Sequence, residues 1–230
     1  MLTDPYWFWI LKYLHIAAGV FALICGTIAF LLRKKVQYHR PVGKVYFWSM
    51  TGVAATSLIM AVYHQKWFFF MVAIFTFHSA FTAYRSLDLR ALHKDQKAKI
   101  WDWLIEGLTA AVCLSLVGYA LYAAVHEAIQ LAIICLVFGG LGLRFVLNNV
   151  LRYLGRIKYK QYAVLQHVTG MLGSYAGAWT AFLVTNSHKW DIPYLVAFLL
   201  PTVIITFLIV WERSKLRKLG YIKALGRSPK

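Results

Sequence analysis

Residues 14–44 read LHIAAGVFALICGTIAFLLRKKVQYHRPVGK. No Asp, Glu, Lys or Arg interrupts the stretch before Arg33, and the apolar run reaches back to Trp7. About 20 mostly apolar residues are enough to cross a bilayer. His15, Gly19, Ala22 and Gly26 recur at steps of four, three and four, so they share one helical face. Arg33-Lys34-Lys35 then ends the run, and a loop follows, His39-Arg40-Pro41-Val42-Gly43-Lys44. A histidine in lipid, a strip of small residues beneath it and a basic loop make this an integral membrane protein.

The composition agrees. Hydrophobic residues make up 60% of the 230 and charged residues 14%, with a mean hydropathy of +0.60. A soluble domain carries about 25% charged residues. The net charge of +17 would suit nucleic acid in a soluble protein. Here the charges fall between the apolar runs and report topology, which excludes nucleic acid as a partner. Cys25, Cys113 and Cys135 all lie within apolar runs, with no CxxC pair and no CxxCH haem-attachment signal. The first run exceeds a signal-peptide core of about 7–15 residues and no A-x-A site follows it, so it reads as a retained helix.

Seven runs have the length of a span: Trp7–Leu32, Val45–His64, Trp67–Arg85, Asp102–His126, Ala128–Leu151, Gln161–Asn186 and Ile192–Trp211. The expected fold is an all-α, seven-helix transmembrane bundle over residues 1–211 with a basic tail over 212–230. Of 25 Lys and Arg residues, 21 fall in 33–44, 85–99, 152–160 and 213–230. Positive loops stay in the cytoplasm. The N-terminus is therefore expected outside and the C-terminus inside, in a bacterial cytoplasmic membrane. The same basic segments imply anionic lipid headgroups as partners, and the tail, with Leu216, Leu219, Ile222 and Leu225, reads as a helix on the inner leaflet.

Ionisable residues inside spans are expensive and mark function. At 1.5 Å per residue, His15 and His78 lie about 12 and 16 Å below the outer surface, on two helices that both descend from outside. Two neutral imidazoles at similar depth are what haem b needs, and either could also ligate a metal. His167, above Gly170, Ser174 and Gly177, would serve a second, inner site with His39. The competing reading is that these histidines and small residues only pack helices.

A second polar group gathers in the inner third: Glu106, Arg144, Asn148, Gln166 and His167. Arg144 keeps its charge, and Glu106 stands at a matching depth. An ion pair between them is expected, lining either a proton-coupled transport pocket or a clasp that fixes helix order. Hydrolytic chemistry is disfavoured: the last run holds no histidine, and HExxH, GxSxG and nucleotide motifs are missing.

Leu14-His15, the loop His39-Arg40-x-x-Gly43-Lys44-x-Tyr46 and the helix end Tyr84-Arg85 together resemble an uncharacterised family of predicted bacterial integral membrane proteins. The resemblance runs from the N-terminus to the Arg85 region and implies an all-helical membrane fold, without a reaction. Read physically, His39, Arg40 and Lys44 at the start of a helix form a place for a lipid phosphate. The function expected is haem b electron transfer through His15, His78 and His167, with a redox partner or a homo-oligomer. A proton-coupled transporter and a non-catalytic assembly subunit are the alternatives.

Overall fold

A computed structural model describes residues 4–94, 96–157 and 162–218. Among them the chain is helical, with no strand. The helices are α1 (Tyr6–Leu31), α2 (Val36–Tyr63), α3 (Trp67–Arg85), α4 (Ile100–Val125), α5 (Ile129–Tyr153), α6 (Tyr162–Asn186) and α7 (Tyr194–Lys218). All seven expected runs are helices. Six are long and apolar enough to cross a membrane. The exception is α6, whose Gln166, His167, Ser174 and three glycines lower its hydropathy. It can carry them because it buries ten residues against its neighbours.

Two boundaries differ from expectation. The segment expected to be a loop up to Lys44 is already helix, since α2 begins at Val36. The reversal needs only Leu32–Lys35, where the Lys35 amide donates to the Leu32 carbonyl and the His39 amide to that of Lys35. Pro41 thus lies in the second turn of α2, not the first, and leaves the Gln37 carbonyl without its usual helical donor. At the other end, α7 continues to Lys218. Glu212 there pairs with Arg33 at 3.3 Å, tying α7 to the end of α1. The rest of the expected tail helix, Leu219 to Leu225, lies outside the described residues.

Three tight reversals rest on the same cap. After α2, α4 and α5, the residues Gln65, Glu127 and Gly155 adopt φ of 53°, 59° and 69°. Each is followed by an amide that reaches back five residues, Lys66 to Ala61, Ala128 to Ala123 and Arg156 to Leu151. Those bonds satisfy carbonyls that lipid would leave bare.

The helix at the centre is α3. It packs on α2, α4 and α6, while α1 lies on α2, α5 on α4 and α7 on α6. Glycines set the separations. A Cβ at Gly170 would stand 2.7 Å from both the Ala83 Cβ and the Ser79 carbonyl oxygen. One at Gly142 would run into the Cys113 sulfur and stand 3.1 Å from the Phe75 ring, and one at Gly26 would meet the Tyr175 ring at 2.6 Å. The strip beside His15 therefore meets Tyr175 at Gly26, and Gly19 faces open space. Gly170→Val should lower the stability of the detergent-solubilised protein by about 1–3 kcal/mol, because backbone on α3 cannot yield. Gly43→Ala, with nothing within 4 Å of the new methyl, should leave the thermal unfolding midpoint unchanged or raised.

Candidate functional site

The last carbonyls of a helix lack intrahelical donors, and two histidines exploit this. His39, in the first turns of α2, places Nδ1 2.9 Å from the Ala29 carbonyl near the end of α1. His167 on α6 places Nδ1 3.2 Å from the Ala83 carbonyl near the end of α3. A carbonyl only accepts, so both Nδ1 atoms carry a proton, and in the neutral ring each Nε2 holds the lone pair. The two rings meet with centroids 6.1 Å apart and planes at 82°.

They line one cavity of about 650 Å³ at the end of the bundle where α1 and α3 finish and α2 and α6 begin. Its wall is apolar at Phe30, Val168, Met171 and Leu172, and its rim carries Arg40, Lys44 and Arg90. Two phenols stiffen the wall. Ser174 donates to the Met171 carbonyl, so the Tyr46 hydroxyl donates to Ser174, at 2.7 Å. Thr27 donates to Leu23, so the Tyr175 hydroxyl donates to Thr27, at 2.6 Å. Tyr84 stacks on Phe47 with ring centres 4.4 Å apart.

A second, separate site is closed. Glu106 of α4 is 1% exposed. Its Oε2 lies 2.8 Å from His78 Nε2. Its Oε1 accepts from Asn149 Nδ2 at 2.7 Å and from the Tyr153 hydroxyl at 3.3 Å. One turn nearer the start of α4, Arg85 grips Asp102 through two bonds of 3.0 and 3.3 Å. Arg152, 4% exposed, donates to the Leu89 carbonyl and lies over the Tyr162 ring.

These contacts correct several expectations. Glu106 does not pair with Arg144, which is exposed and has no ion pair among the described residues. The buried arginine of α5 is Arg152, and the asparagine that reaches Glu106 is Asn149, not Asn148, whose carbonyl instead accepts from Tyr162. Gln166 is buried but apart from this cluster in its bonding, and its Nε2 has no partner. His15 and His78 are not brought together. His15 Nδ1 bonds Thr56 Oγ1 of α2 at 2.9 Å, whereas His78 turns to α4. By contrast His39, Arg40, Lys44 and His167 do share one space.

The missed residues had a signal in helical phase. Gly139, Gly142, Val146 and Asn149 form the buried stripe of α5. Seven residues on from Gly142, a small residue suited to a helix contact, comes Asn149, whereas Arg144 and Asn148 lie off that stripe. On α4, Asp102 precedes Glu106 by four and shares its face.

A family model described as a predicted membrane protein (DUF2306) matches residues 12–151. The chain belongs to the DUF2306 family. No curated protein and no solved structure matches it. The DUF2306 match extends past the motifs of the first three helices to the end of α5. It takes in His15, His39, His78, Glu106 and Asn149 but stops short of α6 and His167. Membership makes this a membrane protein and assigns it no reaction.

Asn149→Ala should destabilise the protein by about 1–3 kcal/mol, since it strips a donor from a buried carboxylate. Asn148→Ala and Arg144→Gln should each stay within about 0.5 kcal/mol of the parent. Denaturant titration in mild detergent, followed by tryptophan fluorescence, separates the two outcomes.

Proposed function

We propose that the protein is a haem b carrier of the bacterial cytoplasmic membrane, in which His39 and His167 would hold the haem iron. The observation that carries this reading is the pairing of two imidazoles on one amphipathic cavity, each with Nδ1–H fixed on a backbone carbonyl. A bond of that kind on the other ring nitrogen holds a ligating histidine in the right tautomer and raises its basicity. The two ring centres are 6.1 Å apart, close enough for both imidazoles to hold one iron.

A bare ion fits less well. Among the described residues no group of three or more His, Cys, Asp or Glu is placed to hold one. A tetrapyrrole brings its own four equatorial nitrogens and needs only the two axial ligands. Arg40 and Lys44 at the rim suit two carboxylates, and the apolar wall suits the macrocycle. The bound group would supply one-electron chemistry. The chain orients it, keeps water from its inner face and neutralises its acidic edge.

This reading places the cavity at the cytoplasmic end of seven spans, with the N-terminus outside. Support comes from the basic connections after α1, α3, α5 and α7, and from α6, whose 25 residues make it as long as its neighbours. Reporter fusions at Gln65, Glu127 and Lys189 should score as external, and those at Lys35, Lys97 and Lys218 as cytoplasmic. An external score at Lys218 overturns the seven-span topology.

The haem reading is tested on protein purified from haem-replete cells. The visible spectrum should show a Soret band and, on dithionite reduction, sharpened α and β bands. His39→Ala and His167→Ala should each abolish the six-coordinate spectrum, while His15→Ala and His78→Ala should retain it. A colourless parent protein, or a spectrum that survives both cavity variants, refutes the assignment.

A further inference from the structure

A carboxylate within the bilayer has to be neutral, paired or hydrated. Glu106 and His78 are each 1% exposed, so bulk water does not reach them. Glu106 is furnished as an acceptor, with Asn149 and Tyr153 on one oxygen and His78 Nε2 on the other. A deprotonated carboxylate facing a neutral imidazole leaves this cluster with a net charge of −1 in a low-dielectric interior. One more proton makes it neutral and removes a penalty of several kcal/mol.

His78 offers the place for that proton. Its Nδ1 is buried and has no hydrogen-bond partner, while every oxygen of Glu106 is engaged. A clasp that only joined helices would leave no such atom, since buried polar groups are almost always satisfied. We propose that the His78–Glu106 pair is a proton-binding site within the bundle, which takes up one proton at His78 Nδ1. The proton comes from water at the inner end. It adds to the Nδ1 lone pair, no other bond breaks, and an imidazolium–carboxylate pair results. The hydroxyl of Tyr153, near the inner end of α5, is the contact on the cytoplasmic side.

The surroundings isolate this titration. From α4 the facing groups are Glu106 and Asp102, and Asp102 is already held by Arg85. From α5 they are Asn149 and Tyr153, with Arg152 turned to the Leu89 carbonyl. The helices α2 and α6 bring small or apolar groups to α3, such as Met50 beside Ala80 and Gly170 beside Ser79. Their titratable groups Tyr46 and His167 are turned to Ser174 and to the Ala83 carbonyl. This proposal is independent of what the cavity binds.

The test is nuclear magnetic resonance of the full chain in lipid bilayers with isotope-labelled histidine. The His78 signal is assigned by its loss in His78→Gln or, should that variant not fold, by a cross-peak to labelled glutamate. On acidification through about pH 8 to 5, the window where histidine titrates, the His78 Nδ1 signal should pass from unprotonated to protonated. Glu106→Gln removes the counter-charge, so there the His78 Nδ1 signal should stay unprotonated across the same range. Tyr153→Phe should leave its midpoint within a few tenths of a unit. A His78 Nδ1 signal that keeps one state throughout, or a transition unmoved in Glu106→Gln, overturns the proposal.

Discussion

The close approach of α6 to α3 is the contact on which the rest of the architecture depends. Gly170 lies against the Ser79 carbonyl and Ala83, and Gly177 against Thr76. No hydrophobic force joins helices within lipid, so small residues and polar bonds decide where they meet. Once Gly170 is seated, His167 stands at the Ala83 carbonyl, and Ser86 reaches the Ala163 carbonyl at 2.9 Å. The position of His167 fixes the back of the cavity. The opposite face of α3 is then left for α4, which is where His78 finds Glu106.

The two sites use histidine in opposite ways. In the cavity, Nδ1 is spent on a helix-end carbonyl and Nε2 is left for a ligand. In the closed cluster, Nε2 is bound to a carboxylate and Nδ1 is left over. Both follow from one constraint, that a donor or acceptor in hydrocarbon needs a partner from the protein. Helix ends supply orphan carbonyls at the membrane edge, so edge histidines are held by Nδ1. Carbonyls in the middle of a helix are already paired, so a mid-membrane histidine must find a side chain, and Glu106 is the acidic residue at that depth.

Much of the fold was legible in the sequence because apolar runs and basic clusters act through length and position alone. All seven runs became helices, and the family match agrees with the resemblance to a family of predicted membrane proteins. The start of α2 was hidden because the run His39–Lys44 has loop-like composition, with Pro41 and Gly43, yet a four-residue turn was enough to reverse the chain. Partners inside the bundle were harder to read. Depth along a helix follows from counting residues, but which side a residue faces turns by 100° at every step. Glu106 and Arg144 matched in depth and failed in phase. His39 and His167 were paired from sequence because both sit near the inner ends of their helices, where the lateral distance is short.

The polarity of α6 follows from its position. Among the described helices of span length it is the one without a stretch apolar enough to qualify as a span, yet ten of its residues are buried. Gly170 and Gly177 face α3, and its Ser174 receives the Tyr46 phenol of α2. An isolated helix of this composition would expose these groups to lipid at considerable cost. Their burial therefore depends on α2, α3 and α7 being in place, and the cavity wall at His167, Val168 and Met171 is completed only when α6 docks. A site finished by a helix with this polar content is one that the bundle cannot present before it has assembled.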